Sequence, residues 1–432
     1  MSDQSSSSAN PTRRDFLKSS TAAMMAGALA SNLNIAHGAF ASSDDVIKVG
    51  LVGCGGRGSG AATQALAADK NVKLVAMGDA FKDNLQSSLA NLQKSDVGEK
   101  VAVDAEHQFV GFDAYQKVID SGVDVVLLCT PTHFRPMQLK AAIAAGKHVF
   151  CEKPIAVDAP GIQSVLASCE EAKRKNLSIV SGLCWRYDSG MRETFKQIHD
   201  GAIGDISAIQ VTYLTNVLKK HKRKPEWSEM EFQVRNWNGF YWLSGDFNVE
   251  QHVHSLDKMA WAMKDETPIR CTGVGGRQAR TGEESGNVYD HFSVVYEYAN
   301  GVKGFATCRQ MDGCANDVSD HVFGTKGNCD VFKHQITGQT NWKFGKGKKP
   351  NMYQVEHNEL FAAIRNGKPI NNGDYMTKSS MLGIMGRMSA YTGKAITWEQ
   401  AMNSKEDLSP AKYEWGPITA APVATPGITP FV

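Results

Sequence analysis

The sequence predicts an α/β plus α+β chain: a doubly wound parallel sheet at the N-terminal end, then a domain with one large, mainly antiparallel open sheet. Three observations carry this. Short apolar runs alternate with helix-like segments between Val46 and Phe150. A glycine-rich turn separates the first run from the first helix. Later, strand-like alternation recurs with few helices between, in Ile206 to Leu214, Asn287 to Tyr298 and Val302 to Arg309. At 432 residues the chain is long enough for two cores. We place the domains at 42–165 and 166–409, with an extended Pro- and Ala-rich tail at 410–432.

Residues 1–41 read differently from the rest. Thr12-Arg13-Arg14-Asp15-Phe16-Leu17-Lys18 precedes a small-residue, mildly apolar run from Thr21 to Ala36, and Ala39-Phe40-Ala41 has the form of a cleavage site. This order predicts a twin-arginine signal peptide, with the protein in the periplasm or otherwise exported through the twin-arginine pathway. The run is too short and Ala-rich to span a bilayer, so no membrane span is expected in the mature protein. A formal charge of +2 offers no basic excess for nucleic acid. The nine cysteines are scattered, odd in number and without metal-type spacing, which predicts buried thiols acting as small hydrophobes.

The first run, Val46 to Val52, leads into Gly53-Cys54-Gly55-Gly56-Arg57-Gly58 and then a helix-like Ala61 to Ala68. Here G-x-G-x-x-G falls on Gly53, Gly55 and Gly58, the pattern of a dinucleotide-binding Rossmann turn. Gly53 permits the turn, Gly55 lets the backbone approach a pyrophosphate, and Gly58 lets the helix pack on the strand. Phosphates would then face free N–H groups at the helix N-terminus. The next run, Val72 to Met77, ends at Gly78-Asp79, where a carboxylate can accept from the adenosine ribose and repel a 2′-phosphate. NAD is therefore expected over NADP. Lys82 and Arg57 soften that preference. A third run, Val123 to Cys129, is continuous enough for a strand buried on both faces, and a helix from Arg135 to Ala145 and a strand at His148-Val149-Phe150 follow.

Gly146-Lys147-His148-Val149-Phe150-Cys151-Glu152-Lys153-Pro154 is similar to the G-K-H-V-x-x-E-K-P segment of the Gfo/Idh/MocA oxidoreductases. Thr130-Pro131-Thr132-His133 resembles that family's nicotinamide-side loop, one residue shorter. The resemblance implies that Thr130, Pro131, His133, Glu152 and Lys153 lie on the cofactor side. It also implies that Lys153 touches substrate hydroxyls, and that the second sheet is often an oligomer interface, so a homo-oligomer is expected.

Sugar-oxidising members carry D-x-x-x-H-x-x-D on a helix. In Gly245 to Asp257, His254 and Asp257 align with its end and Glu250 stands where the family has Asp. Residues four apart share a helix face, so Glu250 and His254 are expected on one side. A histidine suits removal of a hydroxyl proton, which makes His254 the expected general base, with Lys153 stabilising the alkoxide and Glu250 beside them. His252 with Glu250 and His254 has the residue types of a metal site, and a strand would align all three, but positions 252 and 254 lie on different sides of a helix; no metal is predicted. Arg186 and Trp237 join Lys153, Glu250, His252 and His254 as candidate substrate contacts, and the basic run Lys219 to Lys224 reads as a solvated loop or an attractor of acidic sugars. The expected activity is hydride transfer between bound NAD and a secondary hydroxyl of a sugar, sugar derivative or cyclitol. Two alternatives remain: glycoside cleavage by transient oxidation and elimination, and a binding protein that kept the fold.

Overall fold

The computed structural model describes residues 45–345, 347 and 349–432. The twin-arginine segment and its cleavage site lie outside the described residues.

The first half alternates strand and helix: β1 (Ile47–Val52), α1 (Gly56–Ala68), β2 (Val72–Asp79), α2 (Lys82–Gln93), β3 (Gln108–Val110), α3 (Ala114–Asp120), β4 (Val125–Leu128), α4 (Arg135–Ala144), β5 (His148–Cys151), α5 (Ala159–Arg174) and β6 (Ile179–Ser181). Six strands form one sheet in the order β3-β2-β1-β4-β5-β6, and every pairing is parallel. All four residues of β4 and of β5 are buried, as expected for strands covered on both faces. The order reverses between β1 and β4, which puts a ligand crevice at their carboxyl ends. The sixth strand lies beyond residue 165, so pairing carries this sheet further along the chain than the sequence reading placed it.

The second half begins with α6 (Ser189–His199) and β7 (Ile206–Thr215), followed by the short helices α7 (Glu229–Arg235), α8 (Tyr241–Ser244) and α9 (Phe247–Glu250), and by α10 (Val253–Ala262). Strands β8 (Arg270–Gly276), β9 (His291–Glu297), β10 (Lys303–Gln310), β11 (Asp317–Gly324), β12 (Gly327–Asp330), β13 (Gln335–Gly338) and β14 (Trp342–Lys343) come next. The remaining elements are α11 (Met352–Arg365), α12 (Gly373–Thr392), β15 (Ile396–Thr397) and α13 (Trp398–Met402). Nine strands make the second sheet, ordered β14-β13-β12-β11-β7-β10-β9-β8-β15, antiparallel except where β7 meets β10.

Alternation along β8 and β10 gives this sheet one buried and one open face. The buried face packs on α10 and α12, and α12 is buried along nearly its whole length, as a helix enclosed by protein on all sides must be. The chain then ties the halves together: α11 returns to α1, placing Leu360, Phe361 and Ile364 in the core of the first sheet. The tail has no helix or strand. It is nonetheless held, with Tyr413 and Trp415 against Phe112, Gly416 O accepting from Met230 N at 3.0 Å, and Val432 O accepting from Ser404 Oγ at 2.5 Å. All nine cysteines are free thiols, and seven are buried, where each behaves as a small apolar side chain. Among the described residues no helix is long and apolar enough to cross a membrane.

Candidate active site

The glycine turn follows β1 directly. Gly53 adopts φ +93°, and a Cβ there would stand 2.6 Å from the backbone of Cys129 and Thr130 beyond β4. A Cβ on Gly58 would meet Gly53 O at 1.8 Å, so α1 packs this closely on β1 only with glycine present. Gly55 and Gly56 face the opposite situation, with no atom within 4 Å of where a Cβ would lie. Open space over two glycines at a helix N-terminus is what a pyrophosphate requires, and the turn fits a dinucleotide on that ground. Asp79 closes β2 and is 8% exposed; its carboxylate accepts from Cys54 N at 2.6 Å and from Phe81 N at 2.8 Å. Burial pushes its pKa up, and these two amides counter that. The acid is thus fastened to the glycine turn itself.

On the other side of β1, Thr130 Oγ1 donates to Gln138 at 2.7 Å, and Arg135 bonds both Thr130 O and Pro154 O, at 2.6 and 2.5 Å. One guanidinium therefore joins the Pro131 loop to the Glu152-Lys153-Pro154 segment. His133 is buried and its Nε2 lies 2.8 Å from the Tyr413 hydroxyl of the tail; burial pushes its pKa down to about 4. Glu152 is 3.0 Å from Arg57 Nε, an ion-pair contact without hydrogen-bond alignment, and the Arg57 guanidinium also lies over Tyr353.

Lys153, leaving β5, reaches the second domain. Its Nζ donates to Glu250 O at 2.7 Å and lies 3.4 Å from Glu250 Oε1. The expected single helix through Glu250 and His254 is two helices, α9 and α10, broken at Gln251 and His252. Buried Asp246 sets the first of them: it accepts from Phe247 N, Tyr289 N and Tyr391 Oη, at 2.5, 2.8 and 2.5 Å. His254 Nδ1 is buried with no hydrogen-bond partner among the described residues. Burial holds its pKa well below the usual value, and the charges of Lys153 and Lys258 push the same way. The imidazole is neutral near pH 7. Beneath it, Lys258 Nζ donates to His254 O and pairs with Asp320, both at 2.9 Å and both side chains 1% exposed.

Three residues do not join this group. Arg186 bonds Asp257 through Nε and Nη2 at 2.9 to 3.1 Å and Asp265 through Nη1 and Nη2 at 3.2 and 2.6 Å, so no face of its guanidinium is left for a substrate. His252 is fully buried, its Nδ1 3.1 Å from Asn248 Oδ1, and burial pushes its pKa to about 3. Trp237 lies in a short turn and packs into the aromatic cluster around Phe240 and Trp242. Reading by spacing did not foresee the Arg57–Glu152 pair or Lys258. The second carried a signal, since 258 lies one helical turn after 254.

Residues 47–180 match a model of the oxidoreductase family with an NAD-binding Rossmann fold, GFO/IDH/MocA, and residues 191–330 match the model of that family's C-terminal domain. The chain belongs to the Gfo/Idh/MocA oxidoreductase family. Among its relatives, inositol 2-dehydrogenase of Rhizobium meliloti is 25% identical over 65% of this chain and 74% of that protein. A 2,7-anhydro-N-acetylneuraminate hydratase of Escherichia coli is 26% identical, but the match spans only 56% of this chain and 60% of the hydratase. The fold is that of the aldose-aldose oxidoreductase from Caulobacter crescentus solved with glycerol, at TM-score 0.64 and 19% identity over 82% of this chain and all of the other. GenD2 of gentamicin A biosynthesis, solved with NAD, superposes at TM-score 0.61 and 18% identity over 82% of this chain and 97% of that one. The G-x-G-x-x-G and E-K-P segments both stand at strand ends, after β1 and β5.

Proposed function

We propose that the protein oxidises or reduces one secondary hydroxyl carbon of a sugar, sugar derivative or cyclitol, with a dinucleotide that stays bound. The observation that carries this is the meeting of Lys153, from the first domain, with Glu250 and His254 from the second. NAD, when bound along the glycine turn, supplies the hydride acceptor or donor. Neutral His254 accepts the hydroxyl proton. The Lys153 ammonium stabilises the alkoxide that develops, and Glu250 holds that ammonium in place. The buried Asp79 carboxylate at the end of β2 supports NAD over NADP, through ribose hydrogen bonds and repulsion of a 2′-phosphate. Thr130, Pro131 and His133 line the nicotinamide side in this reading.

Two hydratase relatives, from Escherichia coli and Mediterraneibacter gnavus, favour a second reading in which oxidation is transient and the product leaves with no net redox change. The same Lys153 and His254 serve both. The twin-arginine motif at residues 12–18 supports export to the periplasm with the dinucleotide already inside. A homo-oligomer through the open sheet face is supported by Val274 and Phe305, which are 68% and 43% exposed there.

The test is His254→Ala, assayed on free sugars and on glycosides. Turnover should fall by roughly 10²–10⁴-fold while bound dinucleotide is retained, because the glycine turn lies in the other domain. Near-parental turnover on a verified substrate would remove His254 as the base.

A further inference from the structure

Beyond α13 the chain has no helix or strand, yet it is fastened along its length. Pro410, Pro417, Pro422, Pro426 and Pro430 restrict its backbone and lower the entropy lost in ordering it. Such a segment is poor in N–H donors and is held through its carbonyls. Here the second domain supplies the donors: Met230 N to Gly416 O at 3.0 Å, Asn287 Nδ2 to Ala421 O at 2.9 Å and Tyr289 Oη to Ala424 O at 2.8 Å.

Between Leu408 and Trp415 the tail lies on the first domain instead. Leu408 N donates to Asp158 at 3.0 Å, and Tyr413 Oη lies 2.8 Å from His133 Nε2. Trp415 packs 4.4 Å from Phe112 and 5.3 Å from Phe81 between ring centres. Phe81 follows β2, Phe112 follows β3 and His133 follows β4, so this stretch crosses the carboxyl ends of three parallel strands. Ligands of such a sheet bind along that edge.

The crossing leaves room at one end. A cavity of about 440 Å³ starts at Ala80, the residue after Asp79, and is bordered by Phe81 and Trp415. Trp415 is 44% exposed, so its contacts within the chain leave much of its ring uncovered. The charges around the cavity are balanced: Lys82 and Arg235 are set against Asp83 and Glu231, and Arg235 bonds both carboxylates, at 3.1 and 2.9 Å. Aromatic borders and cancelled charge suit a flat, neutral heteroaromatic ring and offer nothing to a phosphate.

We propose that residues 408–416 form a strap over the adenosine end of the dinucleotide, with the adenine in the cavity that Phe81 and Trp415 border, and that the dinucleotide enters and leaves only when the strap lifts. This rests on the oxidoreductase reading and deepens it, because retention then depends on the C-terminal tail as well as on the glycine turn. The ribose has its acceptor, Asp79, one residue before the cavity begins. Tyr413 borders no part of that cavity; it anchors the strap to His133.

Stopped-flow fluorescence of NADH entering and leaving the full chain tests this. Tyr413→Phe keeps the ring and removes the contact with His133. Loss of one hydrogen bond should speed uptake and release together, each by roughly 2–10-fold, and leave Kd within about twofold. Both rates at parental values, or faster release without faster uptake, overturns the strap. Trp415→Ala also removes a border of the cavity, so release should quicken more than uptake, and an unchanged release rate overturns the placing of the adenine. Ile428→Ala, at a site 79% exposed farther along the tail, should leave both rates unchanged, and a change equal to that of Tyr413→Phe would mean general loosening and overturns the strap. Turnover is read separately. Faster exchange in Tyr413→Phe of a protein that oxidises no sugar keeps the strap and counts against the redox reading, whereas parental exchange in a protein that turns over a sugar does the reverse. A chain that takes up no dinucleotide overturns both.

Discussion

Arg186 was a candidate substrate contact by sequence and is a structural ion pair by geometry, and the two roles separate cleanly in an experiment. Asp257 is 1% exposed and Arg186 9%, and three contacts of 2.9 to 3.1 Å join them. Ser379 adds a fourth hydrogen bond to Asp257 at 2.8 Å. Breaking a buried pair by removing one partner costs roughly 3–5 kcal/mol, because the survivor stays buried and charged. In Asp257→Leu, Arg186 keeps Asp265, which is 21% exposed in its side chain, so the loss belongs near the lower end, about 3 kcal/mol. Arg186→Met strands Asp257 and should cost at least as much. The double variant leaves only the partly hydrated Asp265, so its loss should fall short of the sum by about 2 kcal/mol or more. Urea denaturation of the four proteins measures this cycle, with dinucleotide binding as a check on the intact first domain. A stability loss of this size is a large share of a typical total of about 5–15 kcal/mol. The reasoning fails if Arg186→Met melts with the parent and instead raises KM for a verified sugar, the signature of a group that touches substrate.

Asp79→Ala should narrow the preference for NAD over NADP in a binding titration, and equal parental affinities unchanged by the substitution would show that the carboxylate does not face the ribose. His133 has a folded pKa of about 4, below the ordinary value for an unfolded chain, so its contribution is complete above about pH 6.5 and is lost as pH falls toward 4. Relative to the parent, His133→Gln should therefore lose less stability across that window, by at most about 1.4 kcal/mol per pH unit, and parallel urea midpoints at pH 7 and 5 would refute it. Trp415 in the tail stacks 4.4 Å from Phe112 and 5.3 Å from Phe81, two residues beyond Asp79. Trp415→Ala should release bound dinucleotide up to about tenfold faster, on the usual worth of such ring pairs, and an unchanged release rate would separate the tail from the cofactor site.

The parallel half of the fold was legible because its signal is local. Strands such as β4 and β5 are buried on both faces and must read as unbroken apolar runs, and the turn after β1 admits only glycine where backbones touch at Gly53 and Gly58. Lys153 was readable for the same reason, since it stands at a strand end whose position the run itself determines. The helix through His254 was read as continuous because no glycine or proline interrupts it. Its break at Gln251 and His252 goes with a cap at Asp246 that depends on Tyr289 and Tyr391, both distant in sequence. Nothing near residue 251 records that.

The misread charges share one cause, which also explains why the unpaired one was overlooked. Whether a charged side chain is chemically free depends on its partner, and in this fold the decisive partners are far along the chain: Asp257 for Arg186, Arg57 for Glu152, Gln310 for Arg280. Arg186, beside two aromatics in a turn, has the composition of a sugar contact, yet two carboxylates occupy its nitrogens. Arg280, in an ordinary polar loop, has no such composition, yet the fold buries it with Nε and Nη2 unpartnered among the described residues. Pattern and periodicity locate backbone, and so they find groups whose role follows from backbone position, such as the glycines and Lys153. A group whose role follows from what remains unsatisfied after folding becomes visible only when the hydrogen bonds of its neighbours have been assigned.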